Sequence, residues 1–471
     1  MKTRLAVAVS AVALLAGCQM AARSVKQAPL DAEGEVWVYL QELSPQAERL
    51  TFTVDGLAAV RSDGQEFPLA VSLGSVSGAG ERRQRLLATG RVPPGEYTAL
   101  SLRIGKATLA AEEGALPSSL LSPLEPVRVP VTFPLARARA RLVTLTLDFA
   151  RSLDKGYGFR PALAGAVPPL PLVELLGFAT ATETDTVTVF DKQSRKAVAV
   201  LAAGRDPKGL VVDRQQGRLY VALSGGDEVA AYDLVTGEEQ GRARLQPGDR
   251  PQELGLSHDG RTLVVTCPGS NGVAFVDAQA LVEVGRARAG IQPTALVMDR
   301  SGRRAYAMNQ GSSSITILDV GARAAAGSIT TDGAPARVAF NRAGDRLYVV
   351  TPTSAYMNVL AAPGFARVNQ IFVGFNAVSV HVDPRTDWVY VSMGDAGQLQ
   401  LFAPLAPMPV GRADLPGPAP FLAIDNAFDV MMGAVPGQKG LFFMELTSRK
   451  VLPLLDTGAA PYGAAVVGER R

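Results

Sequence analysis

The chain closes on GAAPYGAAVVGERR, Gly458 to Arg471, and the phrase of Gly, two residues and Pro that opens this stretch also opens longer units upstream. It stands at Gly204-Arg-Asp-Pro207, Gly248-Asp-Arg-Pro251, Gly290-Ile-Gln-Pro293 and Gly417-Pro-Ala-Pro420. Two worn copies, Thr331-Asp-Gly-Ala-Pro335 and Gly374-Phe-Asn-Ala377, have each lost one of the two marker residues. The last slot falls at 207, 251, 293, 335, 377, 420 and 461, with intervals of 44, 42, 42, 42, 43 and 41 residues. A period in the low forties is that of four-stranded propeller blades. The unit beginning at Pro461 has room for one strand only, whereas Val173 to Gly204 (FATATET, DTVTVFD, KAVAVLA) supplies three strands with no first strand before them. Six full units and these two fragments predict seven blades, with the C-terminal strand pairing to the N-terminal fragment so that no sheet edge is left open.

Within a unit, short runs alternate in polarity, as in SITILDV, and are bounded by turn residues, as in the Asp299-Arg-Ser-Gly302, Asn341-Arg-Ala-Gly344 and Ser257-His-Asp-Gly260 turns. On these residues the repeats resemble the YVTN family of bacterial β-propellers. The matching features are the Gly-x-x-Pro phrase, the Asp/Gly turn, a Tyr-Val strand (Tyr220-Val221, Tyr348-Val349, Tyr390-Val391) and an Asp closing the third strand (Asp191, Asp233, Asp277, Asp319). The resemblance covers about residues 173–471 and implies a propeller fold. It has departures. The family's Asn survives as Asn309, with Leu223, Cys267, Thr351 and Met393 in the equivalent slots, and the third-strand Asp becomes Ala361, Ala403 and Glu445 in later units. A WD40 reading fails because neither Trp37 nor Trp388 is followed by Asp.

The first residues, MKTRLAVAVSAVALLAGC, place Lys2 and Arg4 before an apolar run from Leu5 to Leu15 that is too short to span a bilayer. This is the pattern of a secretory signal peptide. The Leu15-Ala16-Gly17-Cys18 box resembles that of bacterial lipoproteins, which implies a signal peptide over residues 1–17, a lipid on Cys18 and a tether over 18–34. Gln19, which is not Asp, points by that family's sorting pattern to the outer membrane. Residues 35–164 are strand-rich without the forty-residue period, and VPPGEYTALSLRI, Val92 to Ile104, is a Pro-Gly turn feeding an alternating strand. They predict a β-sandwich, and with VTLTLDFARSL and GFRPAL they look like an uncharacterised N-terminal domain of bacterial lipoproteins. The expected architecture is therefore all-β: the sandwich, a Pro-rich linker at 165–172 that keeps it an independent unit near the membrane, and the propeller at 173–471.

Removing residues 1–17 lowers the excess of cations over anions from three to one across 454 residues, which argues against a nucleic-acid partner. Cys267 is then the sole unlipidated thiol and sits in the apolar run LVVTC, the setting of a buried structural cysteine. The two histidines, His258 and His381, occupy slots that the repeat explains, and no spacing of His, Cys or carboxylates reads as a metal site. No cofactor is implied. The third-strand Asp series falls at equivalent positions facing separate turns, which is turn chemistry and not a calcium cage.

A ring of equivalent loops becomes a site where its members differ. The residue after the Pro slot runs Lys208, Gln252, Thr294, Ala336, Val378, Phe421, Tyr462. Phe375, Phe421 and Tyr462, over blades five to seven, form a candidate aromatic binding face, with Tyr356 in the second loop of blade four on the same end of the barrel. Arg205, Asp206, Lys208, Asp249, Arg250 and Glu253 gather on the opposite blades. The function expected from all this is a lipid-anchored envelope protein that binds or scaffolds a protein or glycan partner. Two other readings stand beside it: a propeller enzyme of the lactonase or lyase type, disfavoured by the scarcity of His, and a purely structural surface protein. Three polar side chains converging at the channel mouth would favour the enzyme. The anchor is tested by Cys18→Ser, which is expected to move the protein from the membrane to the soluble envelope fraction; unchanged fractionation would exclude lipidation at Cys18.

Overall fold

The computed structural model describes residue 30 and residues 32–80, 82–111, 117–154, 157–395 and 397–469; the signal peptide and Cys18 lie outside them. Seven four-stranded sheets follow one another around a central channel, each with its first strand innermost. Blades one to six begin at Pro207, Leu254, Pro293, Arg337, Ala377 and Phe421. Blade seven is split as expected: Pro461–Val466 is its inner strand and pairs antiparallel with Leu176–Ala181, which continues to Thr186–Asp191 and Lys196–Ala202.

The phrase that marks the period has a physical basis. Asp206, Arg250 and Gln292, each directly before the Pro, hold left-handed backbone at φ 53°, 53° and 55°. Their N–H groups donate to the side chains of Asp185 (2.8 Å), Asp227 (2.7 Å) and Asn271 (2.9 Å), which lie in the loop between the second and third strands of the preceding blade. Those acceptors are left-handed too, where Asp and Asn are favoured among non-glycine residues. Each phrase therefore latches one blade to the next. The third-strand aspartates cap their own turns: Asp191 accepts from the N–H of Gln193 and Ser194, Asp233 from Val235 and Thr236, and Asp277 from Gln279 and Ala280.

The closure carries a buried ion pair. Lys192 Nζ, on blade seven, donates to Asp425 of blade six at 3.2 Å and to the carbonyl of Val467, just past the closing strand, at 2.7 Å. Both charged side chains are nearly fully buried, so one ammonium ties two adjacent blades to the C-terminal strand.

The expected sandwich takes the form of one continuous ten-stranded sheet curled into a half-barrel. Its first strand, Gly34–Leu40, is inserted between Arg85–Val92 (antiparallel) and Ala140–Asp148 (parallel). All seven residues of this strand are buried, and the period of two explains how. Val36, Val38 and Leu40 enter the half-barrel core, while Trp37 and Tyr39 turn outward into a second core shared with Phe190, Ala197, Phe443 and Leu455 of blades six and seven.

That shared core departs from the independent unit expected from the Pro-rich linker. Polar contacts seal it: the Gln84 amide both donates to and accepts from the backbone of Ala197 (3.1 and 2.8 Å), covering an outer strand edge, and Arg85 pairs with Asp456 at 3.0 Å. Gly458 makes the fit possible. It has φ +75°, and a Cβ there would lie 2.5 Å from Leu86 and 2.8 Å from Trp37, so the last copy of the repeating phrase also packs tightly against the half-barrel.

Deleting residues 462–471 would remove the inner strand of blade seven together with buried Val466 and Val467. At about 1.5–3 kcal/mol per buried aliphatic side chain, against a total stability of about 5–15 kcal/mol, aggregation or failure to fold is expected. Asp425→Ala strands the Lys192 charge and is expected to cost about 3–5 kcal/mol in a urea unfolding curve. The double change Lys192→Met with Asp425→Leu should recover most of that loss. An Asp425→Ala midpoint equal to wild type would remove the ion pair from the closure.

Candidate functional site

The inner strands line a channel with a cavity of about 640 Å³. Its walls mix aliphatic side chains, Leu210, Leu254, Leu296, Val338, Val380 and Leu422 among them, with polar ones such as Ser379 and His381. At the end carrying the Gly-x-x-Pro loops, side chains from five blades meet. Arg337 of blade four donates from Nη2 to Glu253 Oε1 of blade two at 2.7 Å, and the Tyr462 hydroxyl of blade seven donates to the same oxygen at 3.3 Å. Lys208 Nζ of blade one stands 5.6 Å from the centre of the Tyr462 ring, and the Arg337 guanidinium stands 5.9 Å from that of Phe421 in blade six. Both are cation–π distances.

Local backbone makes room for the cluster. Residues two positions past the Pro in blades one and two are Gly209 and Glu253, and a Cβ at Gly209 would lie 2.6 Å from the Gln252 carbonyl. The Gly209 N–H donates to that carbonyl at 2.8 Å, pinching the two inner strands together. At Gly463, next to Tyr462, a Cβ would lie 3.7 Å from the Phe421 ring, an ordinary van der Waals contact.

Of the residues expected to form the face, the structure brings together Lys208, Phe421 and Tyr462. Phe421 and Tyr462 are half-buried in the channel mouth rather than laid open on the surface. Phe375, 68% exposed, and Tyr356, 46% exposed and packed edge-to-face on Phe372 at 5.7 Å, stand apart on the rim of blades four and five. Arg205 and Arg250 are exposed on loops, where Arg250 is occupied through its backbone by Asp227. Asp249 is fully buried and gripped by both Nη atoms of Arg286 at 2.9 and 2.7 Å, so it belongs to the scaffold.

Two members of the cluster were not singled out from the sequence. Glu253 was counted only among the charges of the face, and Arg337 was missed. Both sit in an inner-strand slot that blades one, three and five fill with Gly209, Ala295 and Ser379, so a charge in that slot is the signal that could have found them.

Burial, and then the adjacent Glu253 carboxylate, push the Tyr462 phenol well above its ordinary range, so it remains a protonated donor. Burial pushes the Cys267 thiol up to about 12, which leaves it inert. The histidines line the channel away from the mouth cluster: His381 follows Ser379 down the inner strand of blade five, and His258 lies in a turn at the opposite end. Among the described residues no group of three or more His, Cys, Asp or Glu is placed to hold a metal ion. The mouth is thus equipped for hydrogen bonding and charge recognition.

No family model matches the chain, and no curated protein matches it. Solved structures share the propeller. A functionally unknown protein from Desulfotomaculum acetoxidans is 11% identical, covering 62% of this chain and 98% of that one, with a TM-score of 0.55. A protein of Bacteroides uniformis described as a candidate 6-phosphogluconolactonase is 14% identical, covering 62% and 99%, with a TM-score of 0.50. The dihydro-heme d1 dehydrogenase NirN is 13% identical, covering 64% and 77%, with a TM-score of 0.50. At these identities the likeness is one of fold: this chain, a seven-bladed β-propeller, is similar to these propeller-like proteins.

Proposed function

We propose that this protein is a lipid-anchored component of the cell envelope, held at the outer membrane through Cys18, that binds its ligand at the Gly-x-x-Pro face of the propeller. The observation that carries the reading is the convergence of Lys208, Glu253, Arg337, Phe421 and Tyr462 from five blades at one channel mouth. A few convergent polar groups at the mouth of a concave cavity that also offers apolar side chains are the ordinary makeup of a binding site. The exposed Phe375, Tyr356 and Phe372 extend the face outward, as suits a larger partner, protein or glycan, that covers the mouth. The half-barrel shares a core with blades six and seven, so this face keeps a set orientation to the half-barrel.

An enzyme of the lactonase or lyase type is the second reading, favoured by Glu253, Arg337 and Tyr462 meeting within hydrogen-bonding distance. Binding accounts better for the same groups. The phenol is held protonated, and the Glu253 carboxylate is engaged by two donors, so neither is set up as a base.

The rim and the mouth are expected to separate in a melt. Phe375→Ser with Tyr356→Ser changes exposed side chains and should leave stability within about 0.5 kcal/mol of wild type. Phe421→Ser with Tyr462→Ser removes half-buried rings and should lower it by several kcal/mol, on the order of the cost of truncating buried aromatics. Equal melting temperatures for the two pairs would contradict this division. The partner is sought with a photoreactive amino acid at Phe375 in whole cells, and with one at Arg323, on a turn at the opposite face, as control. A discrete adduct from Phe375 alone is expected; no adduct, or the same adducts from both, would reject a partner at this face.

A further inference from the structure

The charges at the channel mouth do not balance. Lys208 and Arg337 face a single carboxylate, Glu253, so the cluster carries one positive charge in excess. Lys208 makes no ion pair among the described residues; its ammonium rests over the Tyr462 ring. Arg337 offers five N–H donors, and among the described residues Glu253 is its hydrogen-bond acceptor. The side chain of Arg337 is only 18% exposed, and it lines the channel. Donors in so enclosed a place are costly when unmatched, and they are matched best by an oxyanion that takes the planar fork with two bonds. Next to the cluster along the inner strands, Leu210, Leu254, Leu296, Val338 and Leu422 contribute aliphatic side chains to the channel wall.

We infer that the channel mouth is a carboxylate site. It takes a small monoanionic carboxylic acid with an apolar body, the carboxylate resting between Arg337 and Lys208 beside the Tyr462 ring and the body descending along the leucine and valine side chains of the channel. A monoanion cancels the excess charge, whereas a phosphate dianion would overshoot it in a poorly solvated space. Glu253 is a positioning residue: it orients the Arg337 fork from the side and is not displaced. This inference rests on the placement of the binding site at the Gly-x-x-Pro face and names the chemistry of its ligand.

The test is titration calorimetry of the purified full-length protein with octanoate, with octanol and octyl phosphate as comparison probes. Octanoate is expected to bind one per chain, more tightly than either comparison probe and with an affinity that falls as salt is raised. Lys208→Gln, outside any ion pair, should fold normally and weaken octanoate by about tenfold, the effect of about 1.4 kcal/mol from one charged hydrogen bond. Arg337→Gln alone would strand Glu253, so it is combined with Glu253→Gln; this neutral pair should abolish octanoate binding while a melt confirms the fold. Absence of octanoate binding to wild type overturns the inference, as does equal binding of octanol, tighter binding of octyl phosphate, or binding that both variants leave unchanged. The Phe375 adduct is independent of these probes. An adduct without octanoate binding rejects the carboxylate site alone, and octanoate binding without an adduct rejects the macromolecular partner alone.

Discussion

The ring exists because its last strand returns to its first sheet. Pro461–Val466 pairs with Leu176–Ala181 across nearly the whole length of the propeller sequence, and Lys192 locks the join by reaching Asp425 and the Val467 carbonyl together. Without this pairing, blade seven would present a bare strand edge to the channel and blade six would lose the neighbour that covers its face. A buried ion pair is a poor source of net stability, since desolvation cancels much of its attraction, but it penalises misregistration severely. That suits a closure in which the correct partner lies almost three hundred residues away in the chain.

The same closure places the site. Tyr462 is the second residue of the closing strand, so the hydroxyl that meets Glu253 arrives only when the ring is shut. The five contributing residues lie on, or directly before, the inner strands of five different blades. Their convergence follows from the radial arrangement, which turns equivalent slots of a linear repeat into neighbours around one axis. The half-barrel adds a second constraint on the same region: Trp37 and Leu86 press on Gly458, four residues before Tyr462, so the closing strand is held from outside the ring as well as within it.

Much of this was legible in the residues. The interval of about 42 between Pro slots, the orphan strand after Pro461 and the three strands before Gly204 define the blade count and the split blade without any contact being known. The third-strand aspartates were legible as turn caps because each serves amides two or three residues away. Lys208, Phe421 and Tyr462 were found because they break the repeat. Glu253 and Arg337 were harder, since their meaning lies in a pairing of residues 84 apart that no local pattern encodes. Phe375 and Tyr356 were grouped with Tyr462 because loop position specifies an end of the barrel but not a radius from its axis.

The division follows the range of the forces involved. Strand alternation, turn chemistry and the repeat period are local, acting over a few residues, so the sequence alone determined the all-β class, seven blades and the identity of the closing strand. Burial, ion pairing and the docking of one surface on another depend on distances between residues remote in the chain. Only the tertiary structure decided that Tyr462 turns inward to meet Glu253, that Arg337 bridges across the channel, and that Trp37 and Tyr39 leave the half-barrel to share a core with blades six and seven. The period of two in Gly34–Leu40 dictates that alternate side chains face opposite ways; what stands on the far side to bury them is set by the packing of the whole chain.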